Sequence, residues 1–321
     1  MSPSALLILN RASGTGHPAS VADQLAKALQ SGYGSSLQVQ TVVVDDHPQA
    51  RSAATSYAAA APRPSLVVAA GGGGTLRAVV EGVLEAFPAA PPGPELVRLA
   101  ALRMGSGNVV ARGLGIPRDP LAAARQVGDG LARNVTKPVA VIRCAHGLPG
   151  GGTATRHAVT MCGLGQWGLV PGDISRWRER HMLGRRRAAS LVGLERVNAF
   201  EYVVFGAARM LVGTVSRSRC AMVEIDGARQ IRLLALAALN LPLPPLPDPG
   251  VAMGDEAIGL TVVPRLGRPF RRRLEAGDSF ALRLLDRDSV EFFLDEDPEK
   301  ATGWLRLDVG GVLAFVPGQA S

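Results

Sequence analysis

The sequence predicts an α/β protein with two domains: an N-terminal three-layer domain with a parallel sheet, and a C-terminal antiparallel β-sandwich. Three observations lead to this prediction. The 321 residues exceed what one small domain needs. Up to residue 130, short apolar runs alternate with longer stretches of helical spacing, and short strand-like segments dominate thereafter. We expect domains at 1–130 and 131–308, with a segment at 309–321 that returns to the first domain.

The first domain is predicted to contain four parallel strands, each followed by a helix. Runs rich in Val, Leu and Ile, without polar alternation, are typical of strands that are covered on both faces. Because ligands of such sheets bind beyond the carboxyl ends of the strands, site residues should follow the strands. The predicted strands are 5–9, 38–44, 66–70 and 97–102, and the predicted helices are 18–30, 48–60, 75–87 and 119–127.

The second domain is predicted to consist of short strands separated by Gly, Pro and Asp turns, with one helix at 185–197. This spacing favours antiparallel hairpins over crossover connections. The predicted strands are 139–144, 158–162, 200–205, 221–225, 231–239, 259–263, 280–285, 290–294 and 305–308.

Composition excludes several classes of protein. With 47% apolar and 19% charged residues, the chain is not a disordered tail. Its three cysteines form no Cys-x-x-Cys pair, which excludes a disulfide scaffold and a cysteine zinc site. The five histidines show no metal-ligand spacing, so no metal-ligating residue is predicted. No signal peptide and no uninterrupted apolar run of about 18 residues is apparent, and we expect a soluble, cytoplasmic protein.

The net charge of +8 is carried almost entirely by arginine. Arginines cluster beside Trp177 within 173–187, and again at 271–273. Such patches attract the phosphates of nucleotides or anionic lipids, so peripheral contact with an anionic inner membrane is one interpretation of 173–187. A solvated basic face, in a chain whose arginine content reflects a GC-rich genome, is the other. Few aromatic residues and no recognition motif argue against nucleic acid.

Three of the predicted strands end in turns of small and polar residues: 10–14 (Asn-Arg-Ala-Ser-Gly), 71–75 (Gly-Gly-Gly-Gly-Thr) and 104–108 (Met-Gly-Ser-Gly-Asn). Four successive glycines carry an entropic cost, and they favour close approach of the backbone to a ligand. The N–H groups of the helix that follows favour a phosphate. The spacing fits neither the dinucleotide nor the Walker motif. Each turn alone is also typical of an ordinary connection, but together they indicate a polyphosphate ligand such as a nucleotide.

These motifs, in this order, resemble the diacylglycerol kinase catalytic domain, whose superfamily includes bacterial lipid kinases, sphingosine kinases and ceramide kinases. The most specific block runs from Gly105 to Pro117, and weaker similarity at 162–165, 223–240 and 309–317 extends into the second domain. Residues 293–298 (Phe-Leu-Asp-Glu-Asp-Pro) resemble the Asp-Gly-Glu motif of the family.

The resemblance implies a fold like that of NAD kinases and diacylglycerol kinases, and ATP-dependent phosphorylation of a lipid alcohol at a cleft between the domains. It implies ATP with its Mg²⁺ as cofactors and a role in phospholipid biosynthesis. The general base would be Asp295 or Asp297, for which an acidic hairpin turn is the alternative. The residues predicted to bind the nucleotide are Asn10, Arg11, Ser13, Gly14, Gly71, Gly72, Gly73, Gly74, Thr75, Arg103, Gly105, Ser106, Gly107 and Asn108.

The sequence departs from the family at several of these positions. Gly73 and Val109 stand where acidic residues are expected, and Glu296 stands where a glycine is expected. Ile258 replaces an aspartate that binds a structural Mg²⁺, so that metal site is predicted to be lost. Loss of the acid at Gly73 would raise the barrier to phosphoryl transfer by about 2–4 kcal/mol if nothing compensates.

Two further departures replace prolines of the family with Arg11 and Arg103. Guanidinium groups match phosphate oxygens bidentately, so both arginines are predicted to bind the nucleotide. Two exposed arginines without such a role are the alternative.

Three functions stay open at this stage: a lipid kinase, a pseudokinase that binds nucleotide or lipid without turnover, and a soluble kinase resembling the related NAD kinases or phosphofructokinases. The predicted β-sandwich and the block from Gly105 to Pro117 argue against the third. Gly73 and Val109 favour the second, whereas Asp295 and Asp297 favour the first. The sequence does not identify the lipid, and a homodimer is an open alternative.

Overall fold

The computed structural model describes residues 3–14, 16–105, 108–182, 199–243, 248–295 and 297–318. The chain forms two compact units. Unit 1 contains Met1–Val141, Met253–Glu256 and Gly311–Ser321. Unit 2 contains Ile142–Ala252 and Ala257–Gly310.

Unit 1 is built on the predicted parallel sheet, which is confirmed. Its strands lie in the order β2-β1-β3-β4. Every residue of β3 is buried, as expected for a strand that is covered on both faces. Phe315, close to the C-terminus, pairs in parallel with Leu99 of the fourth strand. The strand bounds are Ser4–Asn10 (β1), Gln38–Val44 (β2), Ser65–Gly71 (β3) and Val97–Arg103 (β4).

The helices of unit 1 follow the strands as the alternating pattern predicts. They are Ser20–Tyr33 (α1), His47–Ala60 (α2), Gly73–Ala86 (α3), Val109–Gly113 (α4) and Pro120–Ala132 (α5). Helix α1 packs against α5, and α2 packs against α3. Asp46 and Asp119 cap α2 and α5, each accepting a backbone N–H from three residues further on.

Unit 2 is rich in antiparallel strands, which confirms the second part of the predicted fold. Its strands are Thr153–Ala158 (β6), Met161–Gly165 (β7), Ala221–Ile225 (β8), Arg229–Leu239 (β9), Ile258–Pro264 (β10), Phe270–Leu274 (β11), Ser279–Leu284 (β12), Ser289–Leu294 (β13) and Asp297–Thr302 (β14). Two further strands, Lys137–Gly147 (β5) and Trp304–Phe315 (β15), lie partly in unit 1 and partly in unit 2. The pairing runs β14-β13-β7-β9-β8-β12-β15; β10 pairs with β9 and β11, and β6 pairs with β5.

Two helices, Val170–Met182 (α6) and Ala199–Val215 (α7), interrupt the strands of unit 2. The strand predicted at 200–205 is therefore wrong, because these residues begin α7. Their β-branched and aromatic side chains favour a strand locally. However, Gly206 and Gly213, two helical turns apart, place the helix against Trp167 and Leu234. The helix predicted at 185–197 lies outside the described residues.

No helix in the described part of the chain is long and apolar enough to cross a bilayer.

Candidate functional site

The three glycine-bearing turns of unit 1 meet at the carboxyl edge of its sheet. Gly14 has φ +63°, and a Cβ there would lie 2.9 Å from the Met104 carbonyl oxygen. A Cβ on Gly105 would lie 2.2 Å from the Cα of Gly72 and 2.9 Å from its nitrogen. The structure thus brings together residues 14, 72 and 105 from three separate turns, and we call this set of contacts the glycine rim.

Side chains of the first turn are hydrogen-bonded to the start of α3. Asn10 is buried, and its Nδ2 donates to Thr75 Oγ1 at 3.0 Å. Ser13 Oγ lies 3.3 Å from the same hydroxyl and accepts the N–H of Gly72 at 3.4 Å. These bonds fix the two turns against each other and leave two hydroxyls at the glycine rim.

The four glycines of the second turn differ in what surrounds them. A Cβ on Gly71 would lie 2.5 Å from Thr75 Oγ1, and one on Gly74 would lie 2.4 Å from the His47 ring. A Cβ on Gly72 would lie 3.4 Å from the Cα of Gly105, an ordinary contact distance, and nothing lies within 4 Å of a Cβ on Gly73. Packing therefore explains Gly71 and Gly74, but not the absence of a side chain at Gly73.

Helix α3 begins without a side-chain cap. Its N-cap residue is Gly72. The N–H groups of the first helical turn have no partner within the helix itself. The helix dipole adds partial positive charge at the same end. This arrangement can bind an anion such as a phosphate.

The turn after β4 is closed by Asn108, which adopts a left-handed conformation with φ +49°. Its Oδ1 accepts the N–H of Gly105 at 3.3 Å, and its Nδ2 donates to the carbonyl of the same residue. Ser106 and Gly107, two of the predicted nucleotide ligands, lie outside the described residues.

Arg11 is engaged by a neighbouring acid. Its Nε and Nη2 donate to the two carboxylate oxygens of Asp45. This hydrogen-bonded pairing raises the pKa of the Arg11 guanidinium. Both side chains are about half exposed, so the ion pair is accessible to solvent. A phosphate would have to compete with Asp45 for the N–H donors of the Arg11 guanidinium.

Arg103 has a different environment. It ends β4 opposite Gly71 of β3, and its Nη1 donates to the Ile116 carbonyl at 3.4 Å. Its buried Nε has no hydrogen-bond partner among the described residues. Burial, together with the charges of Arg118 and Arg112, lowers the pKa of the Arg103 guanidinium.

The two predicted catalytic acids lie in unit 2. Asp295 follows β13 with φ +54°, and its carboxylate accepts the N–H groups of Val159, Thr160 and Met161 at 2.5, 2.7 and 3.0 Å. Asp297 begins β14 opposite Leu294, the last residue of β13. Asp295 therefore holds the connection between β6 and β7, a structural role that the sequence did not indicate. The catalytic role of Asp295 and Asp297 stays a prediction.

In the part of the chain that the structure describes, acidic residues form no site for a protein-held magnesium ion. Within the described ranges, no group of three or more His, Cys, Asp or Glu residues is arranged to bind a metal. The open position at the glycine rim is Gly73, and Ile258 is fully buried in β10. The glycine rim, by contrast, adjoins the start of α3, and a helix start of this kind can bind a phosphate.

Sequence reasoning missed His47, since it considered the histidines only as possible metal ligands. His47 begins α2 shortly after the end of β2, and its ring lies against Gly74, beside the glycine rim. The signal was available, since the rule applied to the ends of the other three strands applies equally to the second.

Residues 4–144 match the sequence model of the family described as the diacylglycerol kinase catalytic domain. The match confirms the resemblance drawn from the motifs in that part of the chain. No curated protein matched the chain in a sequence search.

Solved structures extend the similarity of fold to nearly the whole chain. A putative diacylglycerol kinase from Bacillus anthracis superposes with a TM-score of 0.62 at 16% identity, covering 98% of this chain and 97% of the other. A second from the same organism gives a TM-score of 0.60 at 16% identity, with 99% of each chain covered. A third, titled a diacylglycerol kinase of this organism, gives 0.57 at 16% identity, with 98% and 96% covered. At this identity the comparison shows the fold alone.

Proposed function

Because residues 4–144 match the diacylglycerol kinase catalytic domain, we propose that this protein is a lipid kinase that transfers the γ-phosphate of ATP to a lipid hydroxyl. The observation that carries the proposal is the glycine rim, in which Gly14, Gly72 and Gly105 bring three backbone turns together beside the uncapped start of α3.

In this proposal the phosphates of ATP are bound mainly by main-chain donors. The first-turn N–H groups of α3 hold phosphate oxygens, and the helix dipole favours their negative charge. Ser13 and Thr75 supply hydroxyls beside these donors, and the hydrogen bond from Asn10 Nδ2 positions the hydroxyl of Thr75. Because Gly14 and Gly105 already approach neighbouring backbone closely, a bulky side chain at either position would distort the site that binds the phosphates.

Mg²⁺ would enter with the nucleotide, and no step is assigned to a protein-held metal. The position where the family supplies an acid is Gly73, which offers no ligand. The structural Mg²⁺ site is proposed to be lost, since Ile258 is apolar and buried.

Proton transfer is assigned to unit 2. The acceptor hydroxyl oxygen forms a bond to the γ-phosphorus while the bond to the β,γ-bridging oxygen breaks, and ADP leaves. The hydroxyl proton passes to the carboxylate of Asp295 or Asp297. The three N–H groups bound to Asp295 hold its carboxylate in one orientation.

The acceptor is proposed to be a lipid alcohol reached at a membrane surface. Helix α7 exposes Val204, Leu211, Val212 and Val215, the last with 75% of its surface accessible. Arg217 and Arg219 follow it directly, and this combination of apolar and basic groups suits the interface of an anionic bilayer.

Binding to acidic vesicles that falls steeply with salt would support this assignment, and salt-independent binding or none would contradict it. Of the predicted basic patch at 173–187, residues 183–187 lie outside the described residues.

The decisive experiment is transfer of label from [γ-³²P]ATP to a panel of lipid alcohols in mixed micelles. Diacylglycerol, a sphingoid base and an isoprenoid alcohol should be compared, with Asp295→Asn and Asp297→Asn as controls. We expect label in one lipid, reduced at least about a hundredfold by one of the two substitutions. No transfer to any lipid would contradict the proposal.

A pseudokinase is the second candidate, and a specific observation favours it. The space around Gly73 would accept an acidic side chain, yet none is present, and Val109 replaces the second acid. ATP binding without transfer to any lipid of the panel would select this alternative.

A further inference from the structure

Three arginines gather where β4 ends and the chain passes through α4 to α5. Arg103 is the last residue of β4, Arg112 lies in α4, and Arg118 precedes the N-cap of α5. We call them the arginine cluster. Arg103 Nη1 donates to the carbonyl of Ile116 at 3.4 Å, which places its guanidinium beside the segment that joins Arg112 to Arg118. Burial, together with the positive charges of Arg118 and Arg112, lowers the pKa of the Arg103 guanidinium. Like charges held together are unfavourable unless an anion joins them.

No carboxylate neutralises the arginine cluster in the part of the chain that the structure describes. Elsewhere in that part, Arg11, Arg51 and Arg133 each form an ion pair with an acid. The nearest acid in sequence is Asp119, whose Oδ1 accepts the Ala122 N–H and caps α5.

The guanidinium of Arg103 is also short of hydrogen-bond acceptors. Its Nη1 has one long bond of 3.4 Å to the Ile116 carbonyl, and its Nε is buried without a partner. A buried donor left unsatisfied is costly, so the geometry calls for an acceptor that the described residues do not supply.

The arginine cluster adjoins the glycine rim. Arg103 lies opposite Gly71 in the sheet, and the next residue, Met104, presents its carbonyl to Gly14. The same region has Gly73 and Val109 where the resemblance predicts acids. Negative charge is therefore missing, and positive charge is present, along this edge of unit 1.

We infer that Arg103, Arg112 and Arg118 bind a phosphate group of the nucleotide and supply the positive charge that a metal ion bound by acidic residues would otherwise supply. This inference rests on the proposed function and deepens it. Guanidinium groups bind phosphate oxygens through paired, charge-assisted hydrogen bonds. The consequence is that this protein binds ATP with little dependence on Mg²⁺.

The test is a calorimetric titration of the full chain with ATP and with adenosine, each in Mg²⁺ and in EDTA. Arg103→Gln and Arg118→Gln remove one charge each. Because Arg118 is exposed, Arg118→Gln should fold normally and keeps the test valid if Arg103→Gln does not fold. Arg133→Gln is the matched control, since it removes an arginine of unit 1 that is paired with Asp129. We expect wild-type affinity for ATP to change less than about threefold on removing Mg²⁺, and each cluster variant to lose about tenfold in EDTA. Adenosine affinity and the Arg133→Gln variant should not change.

Wild-type binding of ATP that disappears in EDTA would overturn the inference and leave the proposed kinase function intact. Equal losses for ATP and adenosine would also overturn it, since the effect would then not be on phosphate. A last arm titrates pyrophosphate into the ATP-saturated protein. Competition is expected, whereas independent binding would mean that the arginine cluster serves a separate anion. Absence of ATP binding under both conditions would overturn the inference together with the proposed function.

Discussion

The imidazole ring of His47 occupies the space that a side chain at Gly74 would need. A Cβ on Gly74 would lie 2.4 Å from Cε1 and 2.7 Å from Nε2 of that ring. The first residue of α2 thus rests on the first turn of α3, beside the glycine rim. The sequence suggests that Gly74 makes room for a ligand, but the structure shows that it also makes room for the side chain of His47.

This relationship predicts a coupled pair of substitutions. In the wild-type background, Gly74→Ala should bring no gain in stability, because the ring must move. In the His47→Ala background the clash is gone, and Gly74→Ala should stabilise by about 0.5–1 kcal/mol, the usual advantage of alanine over glycine in a helix. Urea denaturation of the four proteins measures the coupling. Identical effects of Gly74→Ala in both backgrounds would contradict the contact.

The glycine rim predicts opposite outcomes for two glycines of the same region. Gly105→Ala should destabilise the protein by about 1–3 kcal/mol and weaken ATP binding, because its Cβ meets the backbone of Gly72, which cannot move aside cheaply. Gly73→Ala is the matched control: its Cβ enters open space, and stability should be unchanged or slightly higher. Thermal unfolding and ATP titration check both. Equal melting temperatures would show that the turns do not touch.

Gly73→Asp should make nucleotide binding depend on metal. The added carboxylate has room, and it lies where the resemblance drawn from the sequence predicts an acid. Its charge repels the phosphates in EDTA and attracts Mg²⁺ when the ion is present, so ATP affinity should differ between the two conditions by about tenfold. Gly73→Asn, similar in size but neutral, is the control. A Gly73→Asp variant that behaves like the Asn variant would argue against phosphates near this position.

The hydrogen bonds of Asp295 predict that its removal affects stability as well as activity. Asp295→Ala leaves the N–H groups of Val159, Thr160 and Met161 without their acceptor, at a cost of about 1–3 kcal/mol. Asp295→Asn keeps one acceptor oxygen, and asparagine tolerates positive φ, so the loss should be smaller. Urea denaturation ranks the variants. If Asp295→Ala were as stable as the wild type, Asp295 would not be needed to hold the connection between β6 and β7.

Acid should weaken the contact between α6 and α7. Burial acts to raise the pKa of Asp173, but hydrogen bonds from Arg209 and Arg176 outweigh it and bring the pKa below its ordinary value. Since the folded pKa is the lower one, the pair stabilises the fold above the unfolded pKa of about 3.9, and the contribution is lost as pH falls through the folded value.

Arg209→Gln should therefore cost about 1–2 kcal/mol at neutral pH and much less below about pH 3. Unfolding free energies of both proteins, measured across this pH range, check the prediction. A cost that does not vary with pH would show that packing, and not charge, is what the substitution removes.

The parallel sheet of unit 1 was predictable from the sequence because buried strands leave unbroken apolar runs. Strand β2 coincides with its predicted range, and β3 extends one residue further at each end. Strand-like composition misled at 200–205, where packing of Gly206 against Trp167 belongs to a helix. Local propensity carries no information about such distant partners.

The candidate site was predictable in its backbone but not in its side chains. Glycines at strand ends indicate the glycine rim directly, since topology alone brings the carboxyl ends of parallel strands together. The partners of Arg11 and Arg103 depend on how loops fold: Asp45 lies 34 residues from Arg11, and Arg118 acts on Arg103 through space. The same holds for Asp295, whose acceptor role joins residues 134 to 136 positions apart.

Because a Cβ on Gly105 would meet the backbone of Gly72, the position of Gly105 leaves no room for a side chain of its own. Larger residues at Gly72 or Gly105 would disturb the contact between the two turns and could not adjust which ligand binds beside them. Gly73 is the exception, unconstrained by any neighbour, so a single codon can switch the local charge without rebuilding the scaffold. An engineer who wants to change which ion accompanies the substrate should begin at that position.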